Sequence, residues 1–218
     1  MNMNKKIVAE RYDNYGESFE ERCLSLGGDF DKRVLEYLGD HIRQGTLLLN
    51  VAGGDGWALS LLDPGKVSII STDISRGLLE VARKRRPNML VGLLHDFDTA
   101  LPFLDAQYDY AVCTGALEFC ENLQFTLGEM MRVVKPGGLM LFTTDKHDPS
   151  SALQKDEIFI YDERGFFSRR HSTEEVCGVI KNIGGVLERH GTHPAFRING
   201  SWVKYDYFLV RRYESAFR

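Results

Sequence analysis

The chain has 218 residues, enough for one core of ordinary depth and short for two, and 43% of them are hydrophobic. A formal charge of -4, with no long single-sign block beyond Arg83 to Arg86 ("RKRR"), argues against nucleic acid as a partner. No apolar run approaches the roughly 20 residues of a membrane crossing, and the opening "MNMNKKIVAERYDNYG" lacks the apolar block of a secretory signal, so a cytoplasmic protein without a membrane partner is expected.

Residues 1–44 read as a polar helical cap, with Phe19, Leu24, Leu26, Val34, Leu35, Leu38 and Ile42 as packing positions. Short aliphatic or β-branched runs follow at Thr46 to Val51, Val67 to Thr72, Met89 to Leu94, Asp109 to Thr114 and Gly138 to Thr144. Helical patterns lie between most of them. "SRGLLEVARKRR" ends in cations that suit a helix C-terminus, and "ALEFCENLQFTLGEMMRVV" carries apolar residues at three-to-four spacing up to the "KPGG" stop. Strands separated by helices of this length pair in parallel, which predicts a doubly wound α/β sandwich. Ser172 and Glu175 form a capping box for a helix running to Gly184, and two alternating runs, Val186 to His193 and Val203 to Val210, predict a terminal antiparallel hairpin. With the five earlier runs this makes a mainly parallel seven-stranded sheet, occupying residues 45–218.

The glycines of "NVAGGDGWALSLL" stand at the carboxyl end of the first strand, where ligands bind in such sheets. Counting a dinucleotide fingerprint from Gly54 puts Leu59 at the third glycine, and no Lys-Ser or Lys-Thr follows, so neither a pyrophosphate site nor a phosphate loop is expected. A nicotinamide oxidoreductase is disfavoured for the same reason. Asp73, 19 residues after Gly54, ends the second strand, where a carboxylate can accept both hydroxyls of a ribose. Trp57 reads as helix packing. Cys23, Cys113, Cys120 and Cys177 match no zinc spacing, so buried thiols and no metal are expected.

From here the chain resembles the class I S-adenosylmethionine-dependent methyltransferases that act mostly on small molecules. The resemblance spans roughly residues 45–145. The family's first motif corresponds to Asn50, Val51, Ala52, Gly53, Gly54, Asp55 and Gly56, and its ribose-binding acid to Asp73, followed by Ile74. In "HDFDTALPF", Asp96 and Phe97 correspond to contacts on the adenine amino group and face, while "YDYAVCTGALEF" and "MMRVVKPGGLMLFTT" match the fourth and fifth strands and the intervening helix. What this implies is a Rossmann-like methyltransferase fold with S-adenosyl-L-methionine as cofactor, held by Asn50, Ala52, Gly53, Gly54, Gly56, Asp73, Ile74, Asp96, Phe97, Cys113, Thr114 and, from the cap, Tyr12. Cys113 reads equally as core. Two departures stand out: an amide at Asn50 replaces the usual acid, which removes a charge-assisted contact, and Ala52 adds a methyl where backbone approaches closely.

The implied activity is methyl transfer to O, N or C of a small organic acceptor, in which alignment matters more than proton transfer. The acceptor is expected over the ends of the fourth and fifth strands, beneath a lid at about residues 145–171, with Tyr15, Tyr161, Arg169 and Arg170 as binding candidates. Inward-pointing arginines would select an anionic acceptor. His147 and His171 are the candidate bases, against plain readings as a turn residue and a residue ahead of a helix cap. "CTGALEF" lacks the Asn or Asp followed by Pro-Pro and an aromatic that base-methylating enzymes carry there. The competing reading keeps the ligand and drops the transfer: an S-adenosylmethionine-binding protein with non-methylating chemistry or a binding role alone, which Asn50 and Ala52 favour.

Overall fold

The computed structural model describes residues 3–25, 30–149, 154–161, 163–198 and 201–213. Three helices come first: α1 (Met3–Tyr15), α2 (Phe19–Ser25) and α3 (Phe30–Gly39). The alternating section then runs β1 (Thr46–Val51), β2 (Val67–Asp73), α4 (Arg76–Arg85), β3 (Met89–Leu94), β4 (Tyr108–Cys113), α5 (Leu123–Val133) and β5 (Val134–Asp145). A small hairpin, β6 (Asp156–Tyr161) and β7 (Arg164–Arg169), precedes α6 (Thr173–Asn182), β8 (Gly185–Ile198) and β9 (Ser201–Arg212). The main sheet has seven strands in the order β3-β2-β1-β4-β5-β9-β8, parallel from β3 to β5. β9 inserts antiparallel between β5 and β8, so the expected doubly wound sheet with a terminal hairpin is what the chain forms.

The winding direction reverses between β1 and β4, which opens a crevice at their carboxyl ends. Both faces of the sheet are covered. Leu49, Val51, Ala111, Met140 and Phe142 point into one apolar layer with α5 and α6, and Leu48, Ile69, Val112 and Leu141 into the other with α3 and Trp57. Strands buried on two faces have no polar side to alternate with, which is why they read as continuous aliphatic runs. Val34, Leu35, Leu38 and Ile42 pack as expected, whereas Leu24 is exposed and Leu26 lies outside the described residues.

Several local expectations are corrected. The helix predicted from Ala116 is broken: Leu117–Phe119 make one 3-10 turn, Cys120 is extended, and Asn122 caps α5 by accepting from the Phe125 amide at 3.1 Å. Asn122 offers the backbone a side-chain acceptor, and a helix starts where that competes best. After the glycine loop only a 3-10 turn, Trp57–Leu61, forms, and β5 starts at Val134 instead of Gly138. The insertion at 145–171 contains the β6–β7 hairpin and is not a plain loop. Half of the capping box is present: Ser172 Oγ accepts from the Glu175 amide at 3.1 Å, while the Glu175 carboxylate goes to Lys155 at 3.2 Å.

Candidate functional site

Leaving β1, the chain turns through Ala52, Gly54 and Gly56 at φ of 50°, 55° and 69°. Glycine adopts this left-handed region at no steric cost, and Ala52 does so against its own Cβ. Gly53 is required for a different reason: a Cβ there would stand 2.0 Å from Asn50 Nδ2 and 2.4 Å from Ser71 Oγ. The Asn50 amide thus occupies the space that the missing side chain leaves, 3.4 Å from both the Gly53 carbonyl and Ser71 Oγ.

Asp73 fastens this loop to β2. Its Oδ2 accepts from the Gly54 amide at 2.8 Å and its Oδ1 from the Ser75 amide at 2.7 Å. Burial pushes its carboxyl up to about 6, against the lowering effect of those two amides. The basic run closing α4 serves the same loop from behind: Arg86 Nε donates to the Gly56 carbonyl at 2.7 Å and Arg85 meets the buried Asp55 at 3.2 Å. These arginines are a structural clamp as well as a helix terminus.

In front of the loop lies a cleft of about 820 Å³, including its open mouth, within the usual size range of small-molecule sites. Of the residues singled out in the sequence, Asn50, Ala52, Gly53 and Gly54 form one wall, Asp73 and Ile74 the next. Asp96, Phe97 and Thr114 continue it past β3 and β4, and Tyr12 of α1 closes the top. Cys113 and Gly56 do not line the cleft; Cys113 belongs to the apolar layer under α5. Lys5, which no sequence pattern singled out, also lines the cleft. Its ammonium is buried 2.6 Å from Asp98 Oδ2, 3.6 Å from Asp96 Oδ1 and 3.9 Å from the centre of the Phe97 ring, so it stands on the ring expected to meet adenine.

The acceptor-side candidates are placed differently. Tyr15 lies outside the cleft, against Arg11 and Arg22. His147 and His171 pair backbone to backbone beside β5, and neither lines the cleft. Burial lowers the pKa of His171, whose Nδ1 is 3.5 Å from Glu175. Arg169 is half-buried and bound to Asp156, and the Tyr161 side chain lies outside the described residues. Arg170 is buried without lining the cleft, 3.2 Å from Asp145 and 2.8 Å from Glu157, and among the described residues its Nε and Nη2 make no hydrogen bond. Nearby, Glu118 accepts from the Tyr205 hydroxyl at 2.8 Å, and Phe166 of the hairpin packs on Ile7, Val8 and Phe119.

A family model described as a methyltransferase domain matches residues 49–142. Malonyl-[acyl-carrier protein] O-methyltransferase of Erwinia pyrifoliae is 31% identical over 144 residues, covering 65% of this chain and 52% of that protein. Demethylmenaquinone methyltransferase of Symbiobacterium thermophilum is 30% identical over 167 residues, covering 72% and 66%. The chain thus spans about half to two thirds of the length of these two relatives. Among solved structures, a SAM-dependent methyltransferase of Methanosarcina mazei superposes with a TM-score of 0.68 at 13% identity, over 81% of this chain and 97% of that one. So does the Burkholderia thailandensis 1,6-didemethyltoxoflavin-N1-methyltransferase solved with its substrate and S-adenosylhomocysteine, at TM-score 0.68 and 12% identity over 98% and 92%.

Proposed function

The chain belongs to the class I S-adenosylmethionine-dependent methyltransferase family, and on that premise we propose that it moves a methyl group from S-adenosyl-L-methionine to O, N or C of a small organic acceptor. The observation that carries this reading is the Asp73 carboxylate, buried in the cleft wall and holding the Gly54 and Ser75 amides. Each of its oxygens keeps a lone pair for a ribose hydroxyl. Asp96, Phe97, Thr114 and Gly115 line the same cleft, which supports a reading in which the first two meet the base and the last two border the reacting end. Gly115 is held there by its amide, which donates to Thr143 Oγ1 at 2.9 Å.

When bound, the sulfonium supplies a methyl group that is already activated. What remains for the protein is to align the acceptor and exclude water. Tyr12, Phe19 and Phe119 supply the apolar cover over the cleft. The relatives named for malonyl-[acyl-carrier protein] and demethylmenaquinone support an organic acceptor. The charge of -4 supports an acceptor other than nucleic acid. Among the described residues no helix is long and apolar enough to cross a membrane, and we place the protein in the cytoplasm.

Calorimetry with S-adenosylhomocysteine and NAD tests the ligand, and methyl-labelled cofactor with a metabolite extract tests the transfer. Heat with S-adenosylhomocysteine alone, followed by labelled small molecules, is the expected result. Binding without label would support the second reading, which the use of the Asn50 amide as a loop brace favours; no binding would end both.

A further inference from the structure

α1 presents Lys5, Val8 and Tyr12 to the cleft, at positions i, i+3 and i+7, so one stripe of the cap helix faces the ligand space. Lys5 is the charged member of that stripe. It is 2% exposed, and an ammonium so deeply buried is tolerated only where acids meet it. Asp98 Oδ2 does so at 2.6 Å and Asp96 Oδ1 at 3.6 Å.

The two acids have different surroundings. Asp98 does not line the cleft; its carboxylate accepts from the Glu121 amide at 3.1 Å and from the Thr126 hydroxyl at 3.3 Å, which fastens the loop after β3 to the start of α5. Asp96 does line the cleft, and its Oδ1 accepts from the Asp98 amide at 3.2 Å. With that amide and the Lys5 ammonium on the same oxygen, the Asp96 carboxylate is restrained in its rotation. Between the acids in sequence, the Phe97 ring has the ammonium 3.9 Å from its centre, an attraction that orients the ring in the cleft wall. The far end of α1 is fastened as well, where Asp13 Oδ1 accepts from Ser75 Oγ at 2.6 Å and from the Gly77 amide at 2.8 Å, just beyond Asp73. The cap helix thus reaches from the neighbours of one cleft acid to those of the other.

The geometry points to Lys5 as a positioning residue for the nucleoside: from the cap it sets Asp96 and Phe97 for a 6-aminopurine, so that base selectivity depends on a helix outside the sheet. This rests on the methyl-transfer reading above, because it takes Asp96 and Phe97 as contacts of the base. A restrained carboxylate accepts from the N–H of a 6-amino group and repels the oxygen of a 6-oxo group. Without the ammonium, two adjacent carboxylates would repel each other across the loop, and Asp96 would lose the alignment on which that distinction depends. The coupling is reciprocal: a base that engages Asp96 and Phe97 holds the groups that hold α1, so it strengthens the docking of the helix.

Calorimetry with S-adenosylhomocysteine and its 6-oxo counterpart, S-inosylhomocysteine, tests this on the parent protein and on Lys5→Met, which keeps an apolar stem and drops the charge. The parent is expected to favour the 6-amino form at least tenfold. Lys5→Met is expected to bind S-adenosylhomocysteine at least tenfold more weakly and to narrow the preference below threefold. A parent without preference, a variant with unchanged affinity, or a variant in which both ligands weaken alike would overturn the inference, the last by reducing Lys5 to a contact of the fold.

Should the variant fold poorly, hydrogen exchange on the parent carries the test. At equal occupancy, S-adenosylhomocysteine is expected to slow exchange of the α1 amides at least tenfold and S-inosylhomocysteine less than threefold; equal slowing by the two, or none, would overturn it. The two readings separate cleanly. No heat with S-adenosylhomocysteine on the parent sinks the proposed function, whereas heat with the parent and an indifferent Lys5→Met sinks the role of Lys5 alone.

Discussion

Replacing Asp73 by Asn sets two opposing effects against each other, and their sizes predict that stability and affinity will part company. Asn keeps one acceptor oxygen, so either the Gly54 or the Ser75 amide, now 2.8 and 2.7 Å from carboxylate oxygens, faces an NH2 group instead. One buried amide left without an acceptor costs about 1–3 kcal/mol. Against this, burial raises the carboxyl from the ordinary 3.8 to about 6, so the charged form is itself disfavoured in the fold. Two pH units correspond to roughly 3 kcal/mol that Asn no longer bears at neutral pH. The fold should hence be about as stable as before, within ~2 kcal/mol. Binding has no such compensation, because the ribose hydroxyls lose a charged acceptor, worth roughly 1.5–3 kcal/mol per bond, or about 10- to 150-fold in Kd. Asp73 also imposes a pH dependence. The folded protein keeps a proton up to about 6 that the unfolded chain sheds near 3.8, so this group's contribution to stability falls as pH rises through that window. Hydroxyl donors favour the carboxylate, so affinity for S-adenosylhomocysteine should rise with pH and fall by up to about tenfold per unit below 6. Calorimetry from pH 5 to 8 on both proteins reads each effect. A variant that binds within threefold of the parent, or that keeps its pH profile, would refute the assignment of Asp73 to the ribose.

Other substitutions probe the loop and its cover. Ala52→Gly relieves a φ of 50° and should raise stability by about 0.5–1 kcal/mol in urea unfolding, the left-handed strain outweighing the extra chain entropy; a loss would mean that the methyl packs usefully. Gly53→Ala should abolish S-adenosylhomocysteine binding, since its Cβ would lie 2.0 Å from Asn50 Nδ2, and unchanged affinity would show that the Asn50 brace is dispensable. Phe166→Ala removes the ring joining the hairpin to Ile7, Val8 and Phe119, at a cost of about 3–5 kcal/mol, and should make the β6–β7 hairpin protease-sensitive before the sheet unfolds. With its carboxyl pushed up to about 8, Asp145 keeps a folded-state proton that the unfolded chain lacks above 3.8, so Tm should fall as pH rises from 6 to 8.5. Asp145→Asn should flatten that slope, and a slope that persists would locate the titration elsewhere.

How much of this was legible follows from how far apart the cooperating residues lie. β1, β2, β4 and β5 announced themselves because a parallel strand covered on both faces has only apolar positions to show, and β3 did so as an aliphatic run although Leu90, Val91 and Leu94 are exposed at the sheet edge. The glycine loop and Asp73 were legible too, since a left-handed turn and an acid closing the next strand are local features, joined by one bond across 19 residues. The β6–β7 hairpin was not, although Ile158 and Ile160 alternate with charged or aromatic neighbours and Glu163 takes the left-handed turn position at φ 62°. A run that long without Pro or a paired Gly at its turn looks like loop until a partner strand is known. Lys5 had no signal at all, because a lysine on a polar helix reads as solvated until the fold sets Asp98, over ninety positions away, beside it. The same distance hides the partners of the arginines. Arg169 and Arg170 stand together in the sequence as a pair of cations, while the acids that neutralise Arg170 come from the end of β5 and from β6. Spacing encodes backbone geometry well and charge balance hardly at all. The wall of the cleft built on turns and strand ends was accordingly readable, whereas which charges the topology brings together behind β5 needed the sheet order first.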